Sequence, residues 1–169
     1  MAEQKSRMKN FKKESFFLAV SLLLLCNILF FGCDKSQLYE KNIDVKDATW
    51  SSSQPVSFDV TIDDVHQQYR FYLNVRHTNW FPYQNLWVIF TTKYPDNTTT
   101  SEKINIKLSN SDESDWLGDG LGDIWDLRAE IKPKIKAQKG KYVFTVSQIM
   151  REDPLPGIMA MGLRVEKVN

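Results

Sequence analysis

Histidine and cysteine, the side chains that most often carry catalysis and metal binding, are nearly missing: the 169 residues hold two of each. His66 follows Asp63-Asp64 in an apparent loop, and His77 follows Arg76 at a strand end, where a surface or turn position is expected. A nucleophilic triad needs a histidine within reach of both a nucleophile and an orienting acid. The local patterns that usually announce one are missing, as are the spacing of a zinc protease helix and a glycine-rich phosphate loop. No catalytic residue is therefore assigned, and no cofactor or metal is expected.

An excess of one charge is also lacking. The formal net charge is +1, and it hides an asymmetry. Residues 1–32 hold five bases (Lys5, Arg7, Lys9, Lys12, Lys13) against Glu3 and Glu14, leaving 17 basic and 19 acidic residues for the remainder. Without a clustered basic face there is no electrostatic reason to expect nucleic-acid binding. The basic end has another use, because it precedes the chain's one long hydrophobic run, Phe16 to Phe31, interrupted only by Ser21 and Asn27. A helix over that run is about 24 Å long at 1.5 Å per residue. A bilayer core is about 30 Å thick, so the run is short for a permanent span. A basic flank, a short apolar run and a small residue form the layout of an export signal.

The residues at the end of the run specify the kind of export. Leu29-Phe30-Phe31-Gly32-Cys33 resembles the lipobox of bacterial lipoproteins, in which a small residue precedes the cysteine that accepts the lipid. The sulfur takes a diacylglyceryl group, and a peptidase then cuts before it. Each buried methylene contributes about 0.8 kcal/mol, so two or three chains anchor far more firmly than one. Cys26 lies inside the run that would be removed, so Cys33 would be left as the single cysteine of the mature chain, and no disulfide is expected. The expected division is a signal peptide over 1–32, a lipidated tether over 33–49 and a β domain over 50–169. The acids after Cys33 do not form a run (Asp34-Lys35-Ser36-Gln37), which favours a periplasm-facing position at an envelope membrane.

Within the mature chain, hydrophobicity repeats with period two. Val56–Val60, Tyr69–Arg76, Lys103–Leu108, Tyr142–Val146 and Gly162–Val168 alternate, and Leu86–Tyr94 is nearly continuous in apolar, aromatic and β-branched residues. Turn signals punctuate them at 51–55, 81–83, 95–97 and 153–157. Roughly seven such strands with short links predict an all-β fold, an antiparallel β-sandwich or jelly roll. Short helices fit only near Ile124–Glu130 and Ser147–Arg151.

Two features stand out from this scaffold. The stretch from Asp112 to Asp126 combines six acids with three glycines. Carboxylates on a flexed loop suit calcium, but their spacing does not match a helix–loop–helix calcium site. A structural role is the favoured reading, with glycines at tight turns and Trp116, Leu117, Leu121 and Trp125 docked on the domain. Five tryptophans (50, 80, 87, 116, 125) could stack on sugar rings, which makes a glycan-binding lipoprotein the alternative function, with Trp80 the most exposed.

Several segments, taken in order, resemble one family. Arg76-x-x-Asn79-Trp80-Phe81-Pro82-Tyr83-Gln84-Asn85-Leu86-Trp87 is similar to a signature of the GldH gliding-motility lipoproteins of Bacteroidota. Trp116-Leu117-Gly118-x-Gly120-x-Gly122-Asp123-Ile124 resembles that family's glycine-rich segment. Gly140-x-Tyr142-x-Phe144, Gln148-x-Met150-Arg151 and Met161–Lys167 resemble its closing strands. The resemblance implies a non-enzymatic envelope lipoprotein of the gliding machinery, linked to type IX secretion, that works through other envelope proteins. It supplies no catalytic residues. The candidate partner surface comprises Asn79, Trp80, Pro82 and Asn85 with Gly118, Gly120 and Asp123.

Overall fold

A computed structural model describes residues 35–110 and 115–168. The export signal and Cys33 lie outside the described residues. From Gln37 onward the chain is built of antiparallel strands: β1 (Gln37–Asp44), β2 (Thr49–Trp50), β3 (Val56–Ile62), β4 (Gln68–Thr78), β5 (Asn85–Lys93), β6 (Thr99–Lys107), β7 (Asp119–Leu121), β8 (Ile124–Lys136), β9 (Gly140–Gln148), β10 (Leu155–Pro156) and β11 (Ile158–Val168). One sheet has the order β1-β11-β4-β8-β7, a second has β3-β9-β5-β6, and β10 pairs with β2.

The alternation read from the sequence explains both sheets. In β4, Tyr69, Phe71, Leu73 and Val75 are buried, while Arg70, Tyr72 and Asn74 are half-buried and Arg76 is exposed. Register sets Val165, Leu163 and Met161 of β11 beside Phe71, Leu73 and Val75, so both strands bury the same face. The facing sheet contributes Phe58, Val60 and Ile62 from β3, Leu86, Val88 and Phe90 from β5, and Tyr142, Phe144 and Val146 from β9. Phe71 meets Phe144 across the interface at a ring separation of 5.3 Å, and Phe144 in turn stacks on Phe90 at 5.5 Å. The result is the expected all-β, sandwich-like domain, closed by aromatic contacts between two inner faces.

Three local expectations are corrected. Residues 37–44, assigned to the tether, form β1, which pairs along β11 from Gln37↔Glu166 to Asp44↔Ala160. This strand is hard to see in the sequence because its face away from the core is polar and its inner side chains, such as Leu38 and Ile43, are few. The short helix near Ile124–Glu130 is instead part of β8. Trp125, Leu127, Ala129 and Ile131 are half-buried and alternate with exposed Asp126, Arg128 and Glu130. Ladder pairing with β4 outweighs the helix preference of Leu, Ala, Glu and Arg. Likewise Ser147 and Gln148 continue β9 rather than starting a helix.

Candidate partner surface

Register fixes two ends of the larger sheet. At one lie Gln37, Gln68, Lys136 and Val168; at the other lie Asp44, Ile158, Thr78 and Ile124. The second end carries every residue of the candidate partner surface except Asn85, which opens β5 nearby.

The chain leaves β4 at Thr78, whose amide donates to the Gly157 carbonyl at 2.9 Å. A turn comes next, closed by the Phe81 amide on the Thr78 carbonyl at 3.2 Å. Phe81 is buried and holds the loop down, 5.8 Å from the His77 ring and 5.7 Å from Tyr83. With Phe81 turned inward, its neighbours Trp80 and Pro82 face solvent, Trp80 at 58% exposure. That agrees with the expectation for Trp80. Tyr83 is tied to Glu152 by its hydroxyl at 3.0 Å, and Asn85 donates to Asn105 on β6 at 2.7 Å.

The glycine-rich segment folds into a hairpin, β7–β8, whose loop is Gly122-Asp123. Gly122 has φ 61°, the left-handed conformation that tight two-residue hairpins need at this position. Gly118 is more constrained still. Its φ is 97°, and a Cβ there would stand 2.2 Å from the backbone oxygen of Asp126. At Gly120 a Cβ would press the Trp125 ring at 2.9 Å, so the bare backbone of β7 lies against that indole. Trp116 is buried against His77, with ring centroids 4.7 Å apart. Leu121 does not dock as expected but stands 86% exposed at the hairpin tip. Two-residue alternation forces this, because β7 has only three residues and Gly120 occupies the position that faces the Trp125 ring.

The two segments, some forty residues apart in sequence, meet here. The Asn79 amide donates to the Asp123 carbonyl at 2.8 Å, and its side-chain nitrogen donates to Asp123 Oδ1 at 2.7 Å. Asn79, Trp80, Leu121 and Asp123 thus belong to one corner, with Pro82 on the same loop. The tryptophans do not form one platform: Trp50 and Trp116 are buried, Trp125 is half-buried, and only Trp80 and Trp87 are exposed.

His77, expected at the surface, is fully buried beneath this corner. It is the fifth inward position of the β4 alternation, and the sheet continues past the point where the sequence suggested a turn. Its Nδ1 lies 2.8 Å from the Thr78 carbonyl. Since a carbonyl can only accept, the ring proton sits on Nδ1. Burial pushes its pKa below the ordinary histidine value, outweighing the Thr78 carbonyl and the Asp126 charge.

Beside the corner, the outer face of the larger sheet holds a network that sequence reasoning missed. Glu40 of β1 accepts from Asn74 at 2.8 Å and from Arg128 at 3.0 Å on Oε1, and from Arg164 on Oε2. Arg164 is only 5% exposed, although it is on the face away from the core, because Gln37, Glu40 and Glu166 cover it. Arg76 forms a fork with Asp126 at 2.8 and 3.0 Å. Over Ala160 these side chains enclose an open groove of about 300 Å³. Of these residues Arg76, Arg164 and Glu166 belong to segments singled out in the sequence, but their union with Gln37, Glu40, Asn74 and Arg128 is made by register.

The model of a family described as GldH lipoprotein matches residues 37–165. A protein of Flavobacterium johnsoniae named gliding motility lipoprotein GldH is 31% identical over 153 residues, covering 86% of this chain and 94% of its own. A protein of Christiangramia forsetii, named as a homolog of the same lipoprotein, is 28% identical over 157 residues, covering 88% and 95%. Among solved structures, a protein from Sulfurospirillum deleyianum aligns with TM-score 0.43 at 13% identity, over 78% of this chain and 98% of its own. An infectious bursal disease virus VP2 subviral particle aligns at 0.34 with 15% identity, over 79% and 34%. At these scores neither structural likeness bears on function.

Proposed function

This chain belongs to the GldH lipoprotein family, and on that premise we propose that it is an envelope lipoprotein, anchored through Cys33, that serves the gliding-motility machinery by protein contact. The observation that carries the reading is the family match over 37–165, which spans the domain from β1 into β11 and includes the whole corner. The relatives are named for gliding motility, and the lipobox-like Gly32-Cys33 supplies the anchor. The domain is proposed to face the periplasm and to act as a non-enzymatic accessory of a machinery linked to type IX secretion. In support, the Asn79–Asp123 hydrogen bonds clasp two loops together with Trp80 and Leu121 exposed beside them, which suits a recognition surface.

The test is lipid labelling combined with complementation. Cells producing the protein should incorporate radiolabelled palmitate into it, and Cys33→Ser should abolish both the label and membrane retention. In a gliding host lacking its own family member, the wild-type chain should restore spreading while Cys33→Ser should not. A chain that retains Met1 and takes up no palmitate would overturn the anchor. Unimpaired spreading in the strain lacking the family member would overturn the role in motility.

A further inference from the structure

The domain has a direction. The chain enters it at Gln37, at the end of the larger sheet where Gln68, Lys136 and Val168 also lie. Gln37 comes four positions after Cys33, a reach of at most about 14 Å. Trp80 and Leu121 are at the other end, beyond the full length of β4. Eleven residues of strand place that end about 33 Å away.

The distal corner also has a definite chemistry. Leu121 and Trp80 are its exposed apolar side chains, at 86% and 58%. Beside them stand the carboxylates of Asp119 on β7 and Asp123 in the hairpin loop, both exposed. Among the described residues no cation pairs with either. In the adjoining groove Arg76 neutralises Asp126, and Arg128 shares Glu40 with Arg164. Asp119 lines the same groove and is the carboxylate left over. A cavity of about 300 Å³ floored by Ala160 has room for a long side chain.

We infer that the β7–β8 hairpin tip and the groove beside it receive a protein segment that sets an apolar residue on Trp80 and Leu121 and sends a lysine or arginine to Asp119. The inference rests on the proposed reading of a lipid-anchored protein acting by contact, and it names the chemistry of the partner. Two other occupants fit less well. An anionic lipid surface repels the two uncompensated carboxylates, and the corner lies at the end opposite the point where the tether enters. A second copy docked corner to corner would bring the same acids together. A basic segment satisfies the acids, and the apolar pair supplies a desolvated centre inside a charged rim.

The experiment uses the full chain in envelope membranes of a gliding host. A photoreactive benzoylphenylalanine replaces Leu121, or, as a control at the anchor end, Thr61. In parallel, a carbodiimide couples carboxylates directly to neighbouring amines. The expected result is a protein adduct from position 121 and none from 61, with a carbodiimide-linked peptide joining Asp119 to that same protein where the cation is a lysine, and no such link where it is an arginine. Asp119→Lys should reduce the adduct at least about fivefold, and Asp119→Asn by less, with tryptophan fluorescence confirming that both variants are folded. Adducts only to lipid, only to a second copy of this chain, or none at all would overturn the inference. So would a protein adduct indifferent to Asp119→Lys. Palmitate on Cys33 and membrane retention are read in the same preparation. Their loss refutes the anchor, whereas an anchored chain without the adduct refutes only the partner chemistry.

Discussion

Replacing Glu40 tests how much the outer network contributes to the fold. Its carboxylate accepts from three donors, two of them guanidinium groups, and the two must be weighed separately. The Arg128 side chain is 47% exposed, so water screens its pairing, and Arg128→Ala should cost at most about 0.5 kcal/mol. Arg164 is different, with its side chain 6% exposed. Breaking a buried pair costs about 3–5 kcal/mol when one charge is stranded, but here Glu166 and Gln37 still hold the guanidinium. Roughly half of that cost remains. The lost hydrogen bond to Asn74 adds about 0.5–1 kcal/mol, so Glu40→Ala should destabilise by about 2–3 kcal/mol. Burial raises the Glu40 pKa, yet hydrogen bonds from Arg164 and Asn74 and the charges of Arg128 and Arg164 outweigh it and hold the group below its usual value. Its contribution is therefore complete above the unfolded-state value and fades as pH falls through the lower folded one. Urea unfolding followed by tryptophan fluorescence at pH 7 and pH 4 reads both effects. Wild type should lose more stability than Glu40→Ala over that interval. A loss below about 0.5 kcal/mol in Glu40→Ala, equal to that in Arg128→Ala, would refute the claim that Arg164 depends on this carboxylate.

Two further substitutions probe the corner itself. Gly118→Ala places a Cβ 2.2 Å from a backbone oxygen at φ 97°, and should cost about 2–4 kcal/mol in thermal unfolding. Gly122→Ala, with φ 61° and open space around it, should cost only about 1 kcal/mol; equal losses would show that the close approach at Gly118 is not what matters. The buried neutral His77 has a lowered pKa, so its stabilisation is complete above about pH 6.5 and declines below it, as the unfolded chain takes up the proton first. Between pH 7.5 and 5.5 the domain should lose up to about 1.4 kcal/mol by this route, and His77→Phe should remove that slope; an unchanged slope would refute the assignment.

The legible part of this fold is the part governed by one strong alternation. β3, β4, β9 and β11 each bury a continuous apolar row whose period is visible without neighbours, while β5 is legible only as a nearly continuous apolar run, of which the structure buries alternate residues. The strands that the sequence hides lack such a row. β1 exposes or half-buries all eight of its residues, and β8 fills its inner row with only half-buried side chains. For them the decisive energy is hydrogen bonding to a neighbouring strand, β11 for one and β4 for the other, and a single sequence does not display a neighbour. His77 is misleading for a related reason. Its polarity suggests the surface, whereas its position in the β4 series requires the core; the carbonyl of Thr78 satisfies Nδ1, and Nε2 is buried with no hydrogen-bond partner among the described residues.

The corner shows the same division in a form that bears on function. Its residues can be chosen from unusual local composition, and Trp80 lies outside as its place beside a turn suggests. Their union cannot be foreseen, because it depends on Thr78 of β4 pairing with Ile124 of β8, which brings Asn79 to Asp123. Leu121 is a consequence of this construction. Gly120 must stay bare for β7 to lie on Trp125, so the next residue is turned away from the sheet and reaches solvent. The glycines therefore do more than permit turns: by bringing a short strand down on an indole, they raise a leucine above the end of the sandwich. A large apolar side chain held in water by so constrained a backbone costs hydration free energy at a position where a serine would serve the turn equally well. Replacing Leu121 with Ser should accordingly leave the fold's stability unchanged or slightly higher while weakening whatever the corner binds, a separation of stability from binding that a purely structural leucine would not produce.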